Sequence, residues 1–290
     1  MYLIAANWVS DLLQTAVDIW NNYIIRAFNI LLDDPLTDGQ WYMVWNVIRS
    51  ILNALSGLGI GILTVCFLAG LIKQFSSWQD IRGADQLVPL FIRFIIAFYI
   101  TSNAAQILPK MIDFGRHLAA FFVKGTVDGT TRLGEGGVDA LMITWPEEVI
   151  TTVEKNLSLW DKIPLLIAAI VAIVAFFVIA ISILLTIYGR LFELFMHMAF
   201  APIFLPTLAS QGTERIGWAY LRSFFGICLR AAVIGLAFVV FAQIWRAPEG
   251  VSGNDAAMVW NAIAERAFYM LLLSVTVKSS DQVIGKMMGG

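Results

Sequence analysis

The sequence predicts an all-α membrane protein: a polytopic bundle of about five transmembrane helices, with a broken segment and an amphipathic N-terminal helix. The clearest observation is the run IPLLIAAIVAIVAFFVIAISILLTIY, residues 163–188, which contains no charged residue. A helix of this length rises 1.5 Å per residue and crosses a hydrocarbon layer of about 30 Å. The second observation is composition, because 59% of the residues are hydrophobic and only 14% are charged. A helix that is apolar on every side needs apolar surroundings, so most of the chain must face lipid or other helices.

Residues 1–32 predict an amphipathic helix. Its charged face is acidic, which favours the external membrane interface over the anionic cytoplasmic surface. The Asp-Asp-Pro sequence at 33–35 is expected to end this helix. The polar residues recur at spacings of three and four, at Asn7, Asp11, Gln14, Asp18 and Asn21.

Hydropathy divides the chain into four segments. These are an amphipathic N-terminal helix at 1–40, transmembrane helices 1 and 2 at 41–106, an external loop with amphipathic helices at 107–162, and transmembrane helices 3 to 5 at 163–290. The individual spans are expected at about 47–72, 87–105, 163–188, 223–245 and 258–277.

A broken segment is expected at residues 191–208, between the third and fourth spans. Pro202 and Pro206 lie within it. Each proline removes a backbone donor, which disfavours a full crossing in lipid. We therefore expect a re-entrant or interfacial pair of short helices here.

Lys and Arg in the short connections predict the orientation. With the N-terminus outside, Lys73 and Arg190 fall on the cytoplasmic side. If residues 191–208 dip into the membrane and return, Lys278 and Lys286 also fall inside, which gives five crossings and a cytoplasmic C-terminus. If residues 191–208 cross fully, six crossings place both ends outside, and this alternative stays open.

Several charged residues lie inside or beside apolar runs, where a charge needs a partner, a wet cavity or a route to the interface. Glu193 and His197 are one helical turn apart, and Arg190 precedes them by a turn. Such a trio suits a salt-bridged structural cluster, and it also suits a proton relay or half of a metal site. Pairing with Glu193 or snorkelling would satisfy the arginines within the spans. The candidate polar cluster is Arg190, Glu193, His197, Arg93, Arg222 and Arg230.

Two further patterns suggest contacts. Arg222 and Arg230 lie two turns apart, where cations can steer a phosphate backbone or anchor lipid headgroups. Small residues at a spacing of four permit close helix packing, at Gly57 and Gly61 and at Ala231 and Gly235.

No catalytic residue, cofactor site or metal site is expected. The sequence has no Ser-His-Asp set, phosphate-binding glycine loop, CxxC pair or HExxH helix. A formal net charge of −2 gives no overall basic footprint for nucleic acid. An enzyme would need a nucleophile or metal set at membrane depth.

One long run carries a family resemblance. In residues 189–241, Gly189 is followed by Arg-Leu-Phe-Glu-Leu and then by Ala-Phe-Ala-Pro-Ile, a Gly- and Glu-containing turn, Leu-Arg-Ser-Phe and Cys-Leu-x-x-Ala-Val-Ile. Thr-Ser-Asn at 101–103 and Leu-Leu-Leu-Ser-x-Thr-x-Lys-Ser-Ser at 271–280 add to it. The chain resembles the TrbL-type conjugation proteins, especially the short form of Gram-positive conjugative elements. It departs from their pattern at His197 and Phe204.

The resemblance implies a non-catalytic scaffold or channel component of a type IV secretion machine in the cytoplasmic or inner membrane. Its implied partners are the other secretion subunits including ATPases, further copies of itself, the lipid bilayer, and single-stranded DNA with its relaxase in transit. A small-molecule transporter or ion channel is the alternative. That alternative predicts paired broken helices and convergent polar residues at mid-membrane, and only one broken segment is predicted here.

Overall fold

The computed structural model describes residues 2–37, 39–76, 87–124, 126–127, 130–131, 141–156, 159–245 and 256–288. Nearly all of these residues are helical, which confirms the predicted all-α class. The predicted loop patch at 125–137 lies largely outside the described residues. The helices are α1 (Tyr2–Leu32), α2 (Gly39–Ser76), α3 (Leu87–Ser102), α4 (Ala104–Lys124), α5 (Glu147–Thr151), α6 (Leu159–Phe204), α7 (Glu214–Trp245) and α8 (Ala256–Met287).

Four short elements lie between these helices in the described chain. Strands β1 (Thr126–Val127) and β2 (Thr130–Thr131) pair antiparallel after α4. A π-helical turn, Thr152–Asn156, follows α5, and a 3-10 helix, Leu205–Ala209, follows α6.

Four of the described helices are long and apolar enough to cross a membrane. Helices α3 and α4 pass the same test only as a pair, which bends by 78° at its break. The described residues thus hold four candidate spans, or five if the bent pair forms one. The predicted multi-span bundle is confirmed. The four spans are Trp41–Lys73, Lys162–Ala209, Glu214–Ile244 and Ala256–Met287.

The structure differs from the prediction in the position of the break. The third predicted span and the first part of the broken segment form one continuous helix, α6, which runs to Phe204. A single glycine, Gly189, costs a helix only about 1 kcal/mol, and Pro202 falls in the last turn. Pro206 lies at the start of the 3-10 helix, where no backbone donor is required. The prolines therefore end α6 near residue 204 rather than separating a short helix at 191.

The sharp bend occurs at Asn103 instead. Helix α3 ends at Ser102, before the predicted span boundary at 105, and at 16 residues its length is about 24 Å. The side-chain amide of Asn103 donates to the Tyr99 carbonyl oxygen over 3.0 Å, which satisfies a carbonyl at the end of α3. The Asn103 carbonyl oxygen accepts hydrogen bonds from the first turn of α4. One asparagine thus closes one helix and begins the next.

The predicted amphipathic N-terminal helix is confirmed. Asp11, Gln14 and Asp18 are exposed, and α1 ends at Leu32 as predicted. Asp34 then accepts a hydrogen bond from the Leu36 backbone N–H over 2.9 Å, a local turn that competes with the helix. The buried stripe recurs at spacings of three and four and comprises Val9, Leu13, Ala16, Val17, Trp20, Ile24, Ala27, Phe28 and Leu31.

The chain forms two compact units. Unit 1 comprises Met1–Leu32, Leu118–Gly189 and Ala231–Val283. In it the buried stripe of α1 packs on α7, with Trp20 and Phe241 ring centroids 6.2 Å apart and a Phe28–Phe238 pair at 5.8 Å. These aromatic contacts bury large apolar area at the centre of the unit.

Unit 2 comprises Asp33–His117, Arg190–Arg230 and Ile284–Gly290. Within it, α2, α3 and the 3-10 helix Leu205–Ala209 all contact one another. The 3-10 helix is almost entirely buried, because Leu205, Pro206, Leu208 and Ala209 are buried. This unit contains all six residues of the candidate polar cluster.

Candidate functional site: charges and close contacts between helices

The candidate polar cluster contains an ion pair between α6 and α7. Arg230 Nη1 donates to Glu193 Oε2 over 2.7 Å. The side chain of Arg230 is 13% exposed and that of Glu193 is 40% exposed. A charge-assisted hydrogen bond of this length fastens α6 to α7, two candidate spans.

Arg190 lies in the same unit but does not share that carboxylate. It is 4% exposed, and its Nε and Nη1 have no hydrogen-bond partner among the described residues. A buried guanidinium without a carboxylate is costly. Glu193 nevertheless pairs with Arg230 on the facing helix, and not with Arg190 on its own helix.

His197 also joins α6 to α7. Its Nδ1 lies 3.0 Å from the Glu193 carbonyl oxygen, and its Nε2 lies 3.4 Å from Ser223 Oγ. Its ring stacks on Tyr220, whose hydroxyl donates to the His197 carbonyl oxygen over 2.7 Å. Within the described part of the chain, no group of three His, Cys, Asp or Glu residues is placed to hold a metal.

Arg93 and Arg222 occupy different surroundings. Arg93 Nη1 donates over 2.7 Å to Glu214 Oε2, at the first residue of α7. The sequence predicts snorkelling or pairing to Glu193 for Arg93, and the observed partner, Glu214, lies 121 positions away and is not predicted by it. Arg222 is exposed on α7. Of the six candidate residues, Glu193, Arg230 and Arg93 therefore take part in two separate ion pairs.

The small residues of α2 make a contact that differs from the prediction. Gly57 and Gly61 face open space, with nothing within 4 Å of a Cβ built on either. Gly59, between them, is buried, and a Cβ there would lie 2.6 Å from the Pro202 carbonyl oxygen and 3.2 Å from Thr101 Cγ2. Within the described chain, the close contact of α2 is therefore made at Gly59, and packing of Gly57 and Gly61 against another helix stays a prediction.

The second predicted pair lies in unit 1. Ala231 is fully buried, and a Cβ at Gly235 would lie 3.4 Å from the Ala119 carbonyl oxygen and 3.4 Å from Val123 Cγ2. Helix α7 thus packs against the last turns of α4 through small residues.

A third close approach was missed from sequence. Gly115 of α4 lies directly against the backbone of Cys228 in α7, so that a Cβ there would overlap the Cys228 carbonyl oxygen. The signal was present: Gly115 continues the apolar stripe of Leu108, Ile112 and Ala119, which are buried. A glycine within a buried stripe indicates backbone contact.

Part of the predicted external loop is fastened to α1. The Asn21 side chain forms two hydrogen bonds with the backbone of Ile143, donating over 3.0 Å and accepting over 2.8 Å. Trp145 Nε1 donates to the Leu13 carbonyl oxygen over 2.8 Å. Arg266 of α8 lies over the Trp145 ring, 4.8 Å from its centroid. Residues 141–145 are therefore held between α1 and α8 in unit 1.

The family comparison agrees with this picture of apolar helices joined by a few polar contacts. The family described as "TrbL/VirB6 plasmid conjugal transfer protein" matches residues 77–278, which is more than half of the chain. The chain belongs to the TrbL/VirB6 family. The resemblance inferred from the sequence is thereby confirmed. Comparison with curated protein sequences gives no match.

Membership of the TrbL/VirB6 family makes this protein a conjugal transfer component of a type IV secretion system. It implies interaction with other subunits of that machinery. The family is a structural component of conjugation and is not known for enzymatic activity. Together with the four candidate spans, the match indicates a multi-pass membrane protein.

Proposed function

We propose that this TrbL/VirB6 protein is a scaffold or channel component in the cytoplasmic or inner membrane, and that it supports passage of single-stranded DNA with its relaxase. The observation that carries the proposal is the family match over residues 77–278. That range contains both interhelical ion pairs, Glu193 with Arg230 and Arg93 with Glu214. Such pairs satisfy charges within apolar spans, and they suit a fixed wall or scaffold.

We assign no catalytic role to the polar residues. Glu193, His197 and Arg93 are engaged in contacts between helices. The same engagement argues against a small-molecule transporter, whose polar residues would converge on a substrate at mid-membrane.

We propose that copies of this chain associate with each other and with secretion ATPases. Only 17% of the most apolar stretch of Trp41–Lys73 is buried within the chain. The rest of that helix must be covered by lipid or by another subunit, and its exposed Gly57 and Gly61 permit a close approach. Purification under mild detergent is expected to recover several copies together with an ATPase. A tightly bound small solute in place of these partners would support the transporter alternative.

The two candidate cations of α7 are expected to differ in any contact with the transferred strand. Arg222 is exposed, whereas Arg230 is bonded to Glu193. A phosphate backbone would be attracted mainly by the exposed guanidinium, in a salt-sensitive way. Lipid headgroup anchoring is the competing role for Arg222.

Formaldehyde crosslinking during transfer separates these roles. The protein is immunoprecipitated, and the transferring strand is measured in the recovered material. Loss of the strand from Arg222→Gln but not from Arg230→Gln, at equal protein level, supports steering by Arg222. Recovery that is unchanged in Arg222→Gln leaves headgroup anchoring as its role. If no strand is recovered from the wild type while transfer depends on the gene, the protein is a scaffold and the channel wall is formed elsewhere.

We propose that the N-terminus is external and the C-terminus cytoplasmic, with five crossings, because this arrangement keeps most Lys and Arg inside. Cysteines introduced at Gly129 and Asp255 are expected to react with an impermeant thiol reagent on intact cells. Cysteines at Ser77, Gly212 and Gly289 are expected to stay unlabelled. Labelling at Gly212 and Gly289 without labelling at Asp255 would instead establish the six-crossing arrangement.

A further inference from the structure

An open apolar groove lies between the C-terminal part of α6 and the first turns of α7, with a volume of about 690 Å³. This size falls within the range of about 300–1,000 Å³ that is usual for small-molecule sites. Met196, Phe200 and Phe204 line it from α6 at a spacing of one helical turn. Ile216 and Ala219 line it from α7.

The groove is apolar where it is open. Met196 is 59% exposed and Ile216 is 50% exposed. Both residues belong to candidate membrane spans, Lys162–Ala209 and Glu214–Ile244. Exposed apolar surface on a membrane-spanning helix is covered by hydrocarbon chains or by another apolar helix.

One end of the groove carries a positive charge. Arg215 lines it and is exposed, at the first turn of α7 directly after the polar connection at 210–213. The neighbouring carboxylate, Glu214, is bonded to Arg93 and does not line the groove. Among the described lining residues no carboxylate opposes the Arg215 charge.

The dimensions suit one hydrocarbon chain. From Arg215 to Ser223, at the other end of the groove, α7 rises about 12 Å at 1.5 Å per residue. The groove therefore offers a short apolar channel with a cation at its mouth, where a polar connection leaves the helices. A phospholipid has the matching order of groups: an anionic phosphate at one end and an acyl chain beyond it.

We propose that this groove binds an anionic phospholipid, with an acyl chain between α6 and α7 and the phosphate at Arg215. The proposal is independent of DNA transfer, because it concerns the lipid bound by this subunit. A juxtamembrane cation attracts an anionic headgroup, and the apolar walls hold the chain. A zwitterionic lipid offers the same chain with less net attraction.

The test measures lipids retained by the full-length protein in native mass spectrometry. The protein is purified from vesicles that contain equal amounts of phosphatidylglycerol and phosphatidylcholine with identical chains. Wild type is expected to retain phosphatidylglycerol in preference, by roughly fivefold for one nearby cation. Arg215→Gln is expected to remove the preference, and Ala219→Trp, which fills the groove, is expected to lower retention of both lipids.

Matched controls separate a site from general surface attraction. Arg49→Gln removes an exposed cation on α2, and Ala264→Trp adds the same bulk at an exposed position on α8. Neither control is expected to change lipid retention. Equal retention of the two lipids by wild type, or equal losses in a control and its matched groove variant, would overturn the proposal.

A second measurement keeps the proposal testable if a variant folds poorly. Phosphatidylglycerol with a photoreactive acyl chain is expected to crosslink wild-type peptides that contain residues 196–204 or 215–223. A photoreactive amino acid at Ala219 is expected to capture lipid. Capture of a second copy of the chain at that position would show that a protein fills the groove and would refute lipid binding.

Discussion

Replacing Gly59 by alanine is expected to destabilise the protein, although the same change at Gly57 or Gly61 is not. A Cβ at Gly59 would lie 2.6 Å from the Pro202 carbonyl oxygen and 3.2 Å from Thr101 Cγ2. The first contact is with backbone at the end of α6, so relief requires movement of a helix rather than of a flexible side chain. At Gly57 and Gly61 the added methyl group meets nothing within 4 Å.

The comparison of the three variants isolates the cost of that contact. Each substitution gains about 0.5–1 kcal/mol of helix propensity, because alanine replaces glycine in the interior of α2. Overpacking at a backbone contact costs about 1–3 kcal/mol. Since the propensity gain is common to all three variants, the Gly59→Ala protein should be less stable than either control by about 1–3 kcal/mol.

The assay is unfolding of the purified full-length protein in one detergent, followed by tryptophan fluorescence. Gly57→Ala and Gly61→Ala are expected to match or exceed the wild-type midpoint. Gly59→Ala is expected to unfold below the wild type. If Gly59→Ala unfolds together with its controls, α2 does not approach α6 at Pro202 and the assignment of the close contact is wrong.

Three further predictions follow from individual contacts. Asn21→Ala is expected to lower the free energy of unfolding by about 1–3 kcal/mol and to increase proteolysis near Ile143, because the two backbone groups of Ile143 lose their partner. A pattern of limited proteolysis unchanged from the wild type would contradict this. Glu193→Ala is expected to lower accumulation in cells and to reduce the free energy of unfolding by about 1–3 kcal/mol, which is less than the roughly 3–5 kcal/mol of a fully buried pair because Glu193 is partly exposed. Adding Arg230→Gln should recover part of the loss, and a double variant no better than the single one would count against the pair. Gly115→Ala should reduce stability at least as much as Gly59→Ala, because its Cβ would overlap the Cys228 carbonyl oxygen of α7. Accumulation of this variant at the wild-type level would exclude the close approach of α4 to α7 at Gly115.

The positions of the helices could be predicted from the sequence, because residue composition and spacing determine them. The polar positions Asp11, Gln14 and Asp18 predicted the exposed face of α1, and all three are exposed, whereas Asn21 is half-buried against Ile143. The charge-free run at 163–188 predicted a span, and it lies within α6. These features depend on local chemistry, which a single sequence contains in full.

The structure has its sharp bend at Asn103 and not within the predicted broken segment at 191–208. The effect of a proline depends on its position in a helix, which the presence of two prolines does not reveal. Pro202 and Pro206 were expected to separate a short helix from the third span, but their positions at the end of α6 and the start of the 3-10 helix make both tolerable. Asn103 ends α3 by bonding the Tyr99 carbonyl oxygen. An asparagine before an alanine pair gives a weaker sequence signal than two prolines.

The ion-pair partners of the charged residues could not be predicted from the sequence. The charges were located correctly as candidates, but Glu193 and Arg230 are 37 positions apart and Arg93 and Glu214 are 121 apart. Which acid meets which base depends on the rotation of each helix. Rotation also explains why Gly59, rather than its neighbours two residues away, makes the contact with α6.

The most direct test of the central claim is DNA transfer from a strain that lacks the gene. Relaxase nicking at the transfer origin is measured in the same cells, and the gene is restored in trans as the control. We predict that deletion abolishes transfer, that nicking is unchanged, and that the restored gene returns transfer to the wild-type frequency. Transfer at the wild-type frequency without the gene would contradict a role in passage across the membrane, and loss of nicking together with transfer would place the protein at an earlier step.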